Sequence, residues 1–269
     1  MNPNVRPAAV AGMFYPASAA ILLRDVTQML SEASQKTLLN PKAIIVPHAG
    51  YVYSGPVAAT IYAQLSALRD RVRRIVLLGP THRVAINGLA LPTCTAFATP
   101  LGIVPVDQKA IAAIEDLPQI VFYDPTHAQE HSLEVQLPFL QTVFGDFSFL
   151  PLAVGQATPE EVAEVLERVW GGEETLIVVS SDLSHYQPYA VAKRIDAQTA
   201  RLILDLDPTI DHQQACGATP VNGLLLAARQ HGLRGRLLDL RNSGDTAGDK
   251  SRVVGYGAFA FLEGEHDAH

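Results

Sequence analysis

The chain has 269 residues and a formal charge of -7, and its few cations are dispersed. That balance excludes nucleic acid as a partner, which needs clustered Lys and Arg to displace counterions. At 48 % apolar and 17 % charged residues the composition excludes a disordered chain and supports one large α/β domain or two small ones. Two cysteines, Cys94 and Cys216, make no disulfide framework. The first ten residues lack the basic and apolar segments of a signal peptide, and no apolar run is long enough for a bilayer. The expected location is therefore the cytoplasm, with no membrane partner.

In chain order, the first strand-like run is Ile44-Ile45-Val46-Pro47, which leads into His48-Ala49-Gly50. A helix over 54–68 follows, with Pro56 suited to its first turn and Val57, Ile61, Leu65 and Leu68 at helical spacing. Ile75 to Pro80 is a second strand run, ending in Thr81-His82. A short strand at 89–91 precedes a helix capped by Asp107, whose inner face is Ala110, Ile111, Ile114 and Leu117. Ser132 is placed to cap another helix, marked by Leu133, Leu137, Leu140 and Phe144. A strand at 147–153 leads to Thr158-Pro159-Glu160-Glu161, a capping-box start whose helix stops at Gly171-Gly172. Leu176 to Ser181 is the third run and ends in Asp182-Leu183-Ser184-His185. Helices at 190–206 and 221–230 and strands at 236–240 and 253–262 complete the pattern.

Continuous apolar runs such as IVLLG and LIVVS suit strands buried on both faces. The expected fold class is thus α/β: a single domain over 1–262 with a central, largely parallel mixed sheet flanked by helices. Residues 263–269 read as a polar tail, so His266 and His269 are set aside as site residues.

Side chains just past the carboxyl ends of strands in such a sheet converge on one crevice. His48 and His82 both follow a strand run that breaks into a turn, and neutral imidazole is the commonest metal ligand. Either by itself reads first as a turn histidine bonded to backbone; the recurrence shifts the balance to function. Gly50 and Gly55 offer close backbone approach to a ligand. Asp182 and His185 share a face if the segment starts a helix, so the carboxylate either orients the imidazole or merely caps the helix. His131, in Glu130-His131-Ser132, sits by an expected helix N-terminus, which disfavours imidazolium; the bland alternative is an incidental Glu-His pair. Cys216 precedes a helix near Pro220, where the dipole lowers a thiol pKa and makes it a ligand or nucleophile, unless it is simply a small buried residue. Cys94, His127, His212 and His231 have no such context. Gly-x-Ser-x-Gly is absent, so no nucleophile elbow is visible.

Taken together, six ordered motifs resemble the MEMO family, whose prokaryotic members are also called AmmeMemoRadiSam system protein B. They are Arg6-Pro7-Ala8-Ala9-Val10-Ala11-Gly12-Met13-Phe14-Tyr15-Pro16, Pro47-His48-Ala49-Gly50-Tyr51, Gly79-Pro80-Thr81-His82, Glu130-His131-Ser132-Leu133-Glu134, Ser181-Asp182-Leu183-Ser184-His185 and Cys216-Gly217. The resemblance implies a fold similar to class III, LigB-type extradiol dioxygenases, which are non-haem iron enzymes. It places the metal ligands on His48, His82 and Cys216 and the surrounding catalytic pocket on His131, Asp182 and His185. It implies a divalent metal, iron first, with copper or zinc as alternatives because a thiolate softens the donor set. The function so implied is a metal-dependent, dioxygenase-like oxidoreductase acting on a small, phenolic molecule. The alternative is a non-catalytic binding or scaffold protein that uses the same crevice for a peptide, with Tyr51, Tyr53 and Tyr186 as an aromatic rim. The family's naming further implies radical-SAM and AMMECR-type proteins as partners.

Overall fold

The three apolar runs fold side by side in the middle of one nine-stranded sheet, in a computed structural model that describes residues 4–33 and 38–264. The strands are β1 (Val5–Arg6), β2 (Ala43–Val46), β3 (Arg74–Pro80), β4 (Leu89–Leu91), β5 (Ala96–Thr99), β6 (Gly102–Pro105), β7 (Ile120–Phe122), β8 (Ser148–Val154), β9 (Thr175–Ser180), β10 (His185–Gln187), β11 (Leu233–Asn242) and β12 (Val253–Glu263). The helices are α1 (Ala19–Glu32), α2 (Tyr51–Tyr62), α3 (Gln108–Ala112), α4 (Asp124–Ala128), α5 (Leu137–Val143), α6 (Pro159–Val169), α7 (Tyr189–Leu204), α8 (Ala218–Gln230) and α9 (Ser243–Thr246). His266 and His269 lie outside the described residues.

The sheet runs β10-β12-β2-β9-β3-β8-β4-β7, with β11 on the other edge of β12. Its centre, β2-β9-β3-β8, is parallel, and β12 and β4 flank it antiparallel. Every residue of β2 and β9 is buried, as is β3 after Arg74, which is why these runs show no polar alternation. β2 reaches β3 through α2 in one direction, and β8 returns to β9 through α6 in the other. Right-handed crossovers then put the two helices on opposite faces. α1 and α5 pack with α2, and α8 packs with α6. The molecule is a single α/β domain with a central mixed sheet flanked by helices, and among its described residues no helix is long and apolar enough to cross a membrane.

Register fixes what leaves the sheet together. Val46 pairs with Ser180, and Leu78 with Val179. Pro47-His48, Thr81-His82 and Ser181-Asp182 therefore emerge at one edge of the parallel centre.

Several local expectations change. The helix expected over 54–68 starts earlier, at Tyr51, and its last part, Ala63–Leu68, tightens to a 3-10 turn. Pro56 consequently lies inside the helix rather than at its start. Gly55 admits α1, not a ligand: a Cβ there would lie 2.6 Å from Met29 Sδ. Asp107 caps α3 as expected, accepting from the backbone of Lys109 and Ala110, but the helix ends at Ala112. The Thr158–Glu161 capping box is present. Ser132 caps nothing; its hydroxyl donates to the Pro80 carbonyl, and α5 begins only at Leu137 after a 3-10 turn at Glu134–Gln136.

Candidate metal centre

The loops after β2 and β3 and the segment before α5 bring three imidazoles together. One ring nitrogen each from His48, His82 and His131 lies within 4.8 Å of the other two. The rings pack closely: His82 stacks on His131 at 4.6 Å between centroids, and His48 meets both edge-on at 5.2 and 5.4 Å. Phe14, from the N-terminal segment, covers His131 at 4.5 Å. The segment approaches β3 closely because Gly79 has no side chain; a Cβ there would lie 2.8 Å from Ser132 Oγ.

Hydrogen bonds outside the cluster decide which ring nitrogens face it. The single hydroxyl proton of Ser180 goes to the Ser132 carbonyl at 2.6 Å. Gln136 Nε2 donates to the same Oγ at 2.8 Å, and the Tyr62 hydroxyl donating to Gln136 Oε1 fixes that amide's orientation. Ser180 Oγ can then only accept from His48 Nδ1, 3.0 Å away, so His48 Nε2 keeps its lone pair. Burial, and then the neighbouring His82 and His131, hold the His48 pKa well below its ordinary value, so the ring is neutral. His82 Nδ1 faces Glu130 Oε1 at 2.9 Å and must donate to it, which again leaves Nε2 free.

Glu130 is the hub of the second layer. Besides His82 Nδ1 it accepts from the backbone N–H groups of His82, His131 and Ser132. Burial would raise its carboxyl pKa, but the His131 and His82 side chains and the His82 backbone outweigh it and hold Glu130 ionised. His131 Nδ1 comes within 3.2 Å of Glu130 Oε1 without the alignment of a hydrogen bond, and it is a buried nitrogen with no partner.

Cys216, just before α8, lies beside the group, whose mutually close donors among the described residues are the three histidines. Its Sγ lies 3.2 Å from His48 Nε2. That nitrogen carries a lone pair, and the Asp182 carbonyl, 3.6 Å from Sγ, is a second acceptor for the thiol proton. The expected lowering of this thiol pKa by the helix is overturned: burial first, and then the Asp182 carboxylate, push it up to about 12.

Asp182 and His185 sit beside the group in a different arrangement from the one expected. The 182–185 segment forms no helical turn, because His185 opens β10 and pairs with Val254. Asp182 Oδ1 accepts from the His48 backbone N–H at 2.7 Å. Burial raises its carboxyl pKa, opposed by that bond and by the nearby imidazoles. His185 is oriented by the Leu183 carbonyl, 2.8 Å from Nδ1, so Nδ1 carries a proton and donates to it. His131 is likewise not at a helix N-terminus, since α5 starts six positions later. Of the expected aromatic rim, Tyr53 and Tyr186 are exposed, but Tyr51 is buried and donates to the Val135 carbonyl.

The Memo-like protein family model matches residues 6–260, nearly the whole chain. A MEMO1 family protein of Ignicoccus hospitalis is 37 % identical over 283 residues, covering 96 % of this chain and 98 % of its own. One from Aquifex aeolicus is 36 % identical over 272 residues, covering 96 % and 100 %. The chain belongs to the MEMO family. The crystal structure of an uncharacterized Escherichia coli K12 protein is similar in fold, with a TM-score of 0.56 at 13 % identity, over 81 % of this chain and 98 % of that one.

In this MEMO-family crevice, three features fit a soft divalent cation. Two imidazoles carry Nε2 lone pairs, the His131 ring completes the cluster of three, and a thiol whose proton a cation can replace lies 3.2 Å from His48 Nε2. Ser180, Gln136 and Glu130 carry the second layer, and the sequence singled out only the last, in passing. Glu130 was legible as the neighbour of His131; Gln136 and Ser180 carry no local signal, because their partners are 44 residues or more away. His127 is buried and bonds the Ala90 carbonyl, away from the cluster. His212 and His231 are exposed.

Proposed function

We propose that this protein binds a divalent metal ion, iron first, through His48, His82 and Cys216, and uses it in a redox reaction of the extradiol-dioxygenase type on a small phenolic molecule. The observation that supports the reading is the cluster of His48, His82 and His131 ring nitrogens within 4.8 Å of one another, with the Cys216 thiol 3.2 Å from His48 Nε2. A bound iron supplies Lewis acidity and one-electron chemistry.

The chain's own residues have distinct tasks. Glu130 fixes the His82 ring and, through three backbone N–H groups, the loop that carries His131. Ser180 and Gln136 fix His48 from the sheet side, and Asp182 holds its backbone. Cys216 gives up its proton on metal binding, since a thiol near pKa 12 is no ligand until a cation displaces that proton. His185, oriented through Nδ1, takes the substrate hydroxyl proton at Nε2. Phe14 and His131 wall one side and limit water entry.

Elemental analysis of protein purified without an affinity tag or chelator tests the metal. Near-stoichiometric metal in the wild type, lost in His48→Ala and Cys216→Ala, supports the assignment; the same metal content in all three refutes it. Iron(II) loading without oxygen, followed by dioxygen and a catechol panel, tests the chemistry. Ring-opened chromophores support it, and no turnover on any phenol leaves the metal reading alone.

A further inference from the structure

Cys216 has two neighbourhoods. One is the imidazole cluster, through His48 Nε2. The other is a cleft of about 360 Å³ between the carboxyl ends of β3 and β8 and the start of α8. Thr81, the residue before His82, lines the same cleft. The cleft thus opens between two of the segments that carry the proposed ligands.

Its walls hold no Asp, Glu, Lys or Arg. Ile86, Val154 and Pro220 supply apolar surface; Gln156, His212 and Thr219 supply polar groups. His212 Nδ1 is 3.3 Å from the Cys216 carbonyl oxygen, and Nε2 is 3.3 Å from Thr219 Oγ1. A carbonyl only accepts, so Nδ1 carries a proton, and in the neutral ring the Thr219 hydroxyl donates to Nε2. Thr219 Oγ1 keeps its lone pairs for a donor that enters the cleft. The lining offers a charged ligand no Asp, Glu, Lys or Arg as counter-charge. The volume falls at the small end of ligand clefts, about 300–1,000 Å³, which suits one ring.

We infer that this cleft is a binding subsite for a small uncharged molecule of single-ring size. Its body packs on Ile86, Val154 and Pro220, and its hydroxyl or N–H donates to Thr219 Oγ1. The inference deepens the proposed function, on which it rests only for what the ligand meets at Cys216; binding itself requires no metal.

Phenol is the neutral probe and benzoate its charged counterpart, each titrated into the full chain with isoleucine methyl groups labelled for NMR. Phenol is expected to shift the Ile86 methyl signal in a saturable way, with benzoate far weaker. Ile86→Trp, which fills the cleft, and Thr219→Val, which removes the acceptor, are each expected to weaken phenol about fivefold or more, the scale of one lost hydrogen bond. Thr219→Val decides if the larger change unfolds the chain. An unmoved Ile86 signal, wild-type phenol affinity in Thr219→Val, or equal binding of benzoate overturns the inference. Elemental analysis of the same wild-type sample separates the two readings. Phenol at Ile86 without bound metal upholds the subsite and removes the metal; bound metal with an unmoved Ile86 does the reverse.

Discussion

Replacing Glu134 by Ala removes a carboxylate that accepts four hydrogen bonds. Glu134 is fully buried and pairs with the buried Arg6 guanidinium. It also accepts from the Ala9 and Val10 backbone N–H groups, at 2.8 and 3.0 Å, and from the Tyr15 hydroxyl. Breaking a buried ion pair from one side costs about 3–5 kcal/mol, because the surviving charge stays buried without its partner. Arg6 retains the carbonyls of His127 and Glu130, which offsets part of that, while three other donors lose their acceptor. A loss of about 4–5 kcal/mol is expected, a large part of the about 5–15 kcal/mol that a domain usually has. Urea unfolding of the wild type, Glu134→Ala, Arg6→Met and the double variant reads it. The double variant should lose clearly less than the two single losses added together, since no orphaned charge remains. A loss under about 1 kcal/mol in Glu134→Ala, or strict additivity, would refute the reasoning.

Glu130→Gln and Ser180→Ala each loosen a ring that the second layer holds, so metal affinity should fall about 10–100-fold in competition with a chelating dye; unchanged affinity means the rings are fixed by packing alone. Asp196 is buried on α7, accepts from the Ser184 N–H, and has its pKa pushed up to about 6 by burial. The folded protein then holds a proton that the unfolded chain releases near 3.8, so this group's contribution to stability falls as pH rises from about 4 to about 6 and is level above. Over that interval, at about 1.4 kcal/mol per pH unit, the effect is on the order of 3 kcal/mol, and Asp196→Asn should gain that much on the wild type between pH 4 and pH 7 in thermal unfolding; a difference that does not change with pH sinks the argument. In metal-free protein, Cys216 alkylation by iodoacetamide should rise about tenfold per pH unit from 7 to 10 without levelling off, because only the thiolate reacts. A plateau below pH 9 would place the thiol pKa well under about 12. His185→Ala should cost turnover about 10²–10⁴-fold with little change in melting temperature, and equal losses in both would make His185 structural.

The parallel centre of the sheet was legible because burial on both faces writes uninterrupted apolar runs such as IVLLG and LIVVS. The Asp107 and Thr158 caps were legible because a cap is a local hydrogen bond within three residues. β1, β5, β6 and β10 were not expected, since two to four residues leave no period to read. The start of α2 was misplaced because Pro56 signals a first turn, yet the buried contacts of Tyr51 and Gly55 carry the helix back through it. In the crevice, the sequence marks the histidines through the strand ends that bear them. It does not mark the hydrogen bonds that set their tautomers, because Ser180, Ser132 and Gln136 reach across the sheet. The thiol pKa went the wrong way for a related reason: the helix dipole is a local cue, while the burial and the Asp182 carboxylate that outweigh it come from distant segments.

The stability clamp and the crevice share one short stretch of chain, and that sharing explains the length of the Glu130–Glu134 motif. Glu130 turns toward His82 and ties the loop by its backbone; Glu134, four residues later at the start of the 3-10 turn, turns toward Arg6, Ala9 and Val10. The first carboxylate sets the imidazoles, and the second sets the N-terminal segment whose Phe14 covers His131. A four-residue spacing with a tight turn between lets two buried carboxylates serve opposite sides without facing each other, which like charges in a poorly solvated interior require. Arg6 bridges them, since it pairs with the Glu134 carboxylate and donates to the Glu130 carbonyl. Rigidity at the crevice is thereby supplied by the same buried charges that hold the fold.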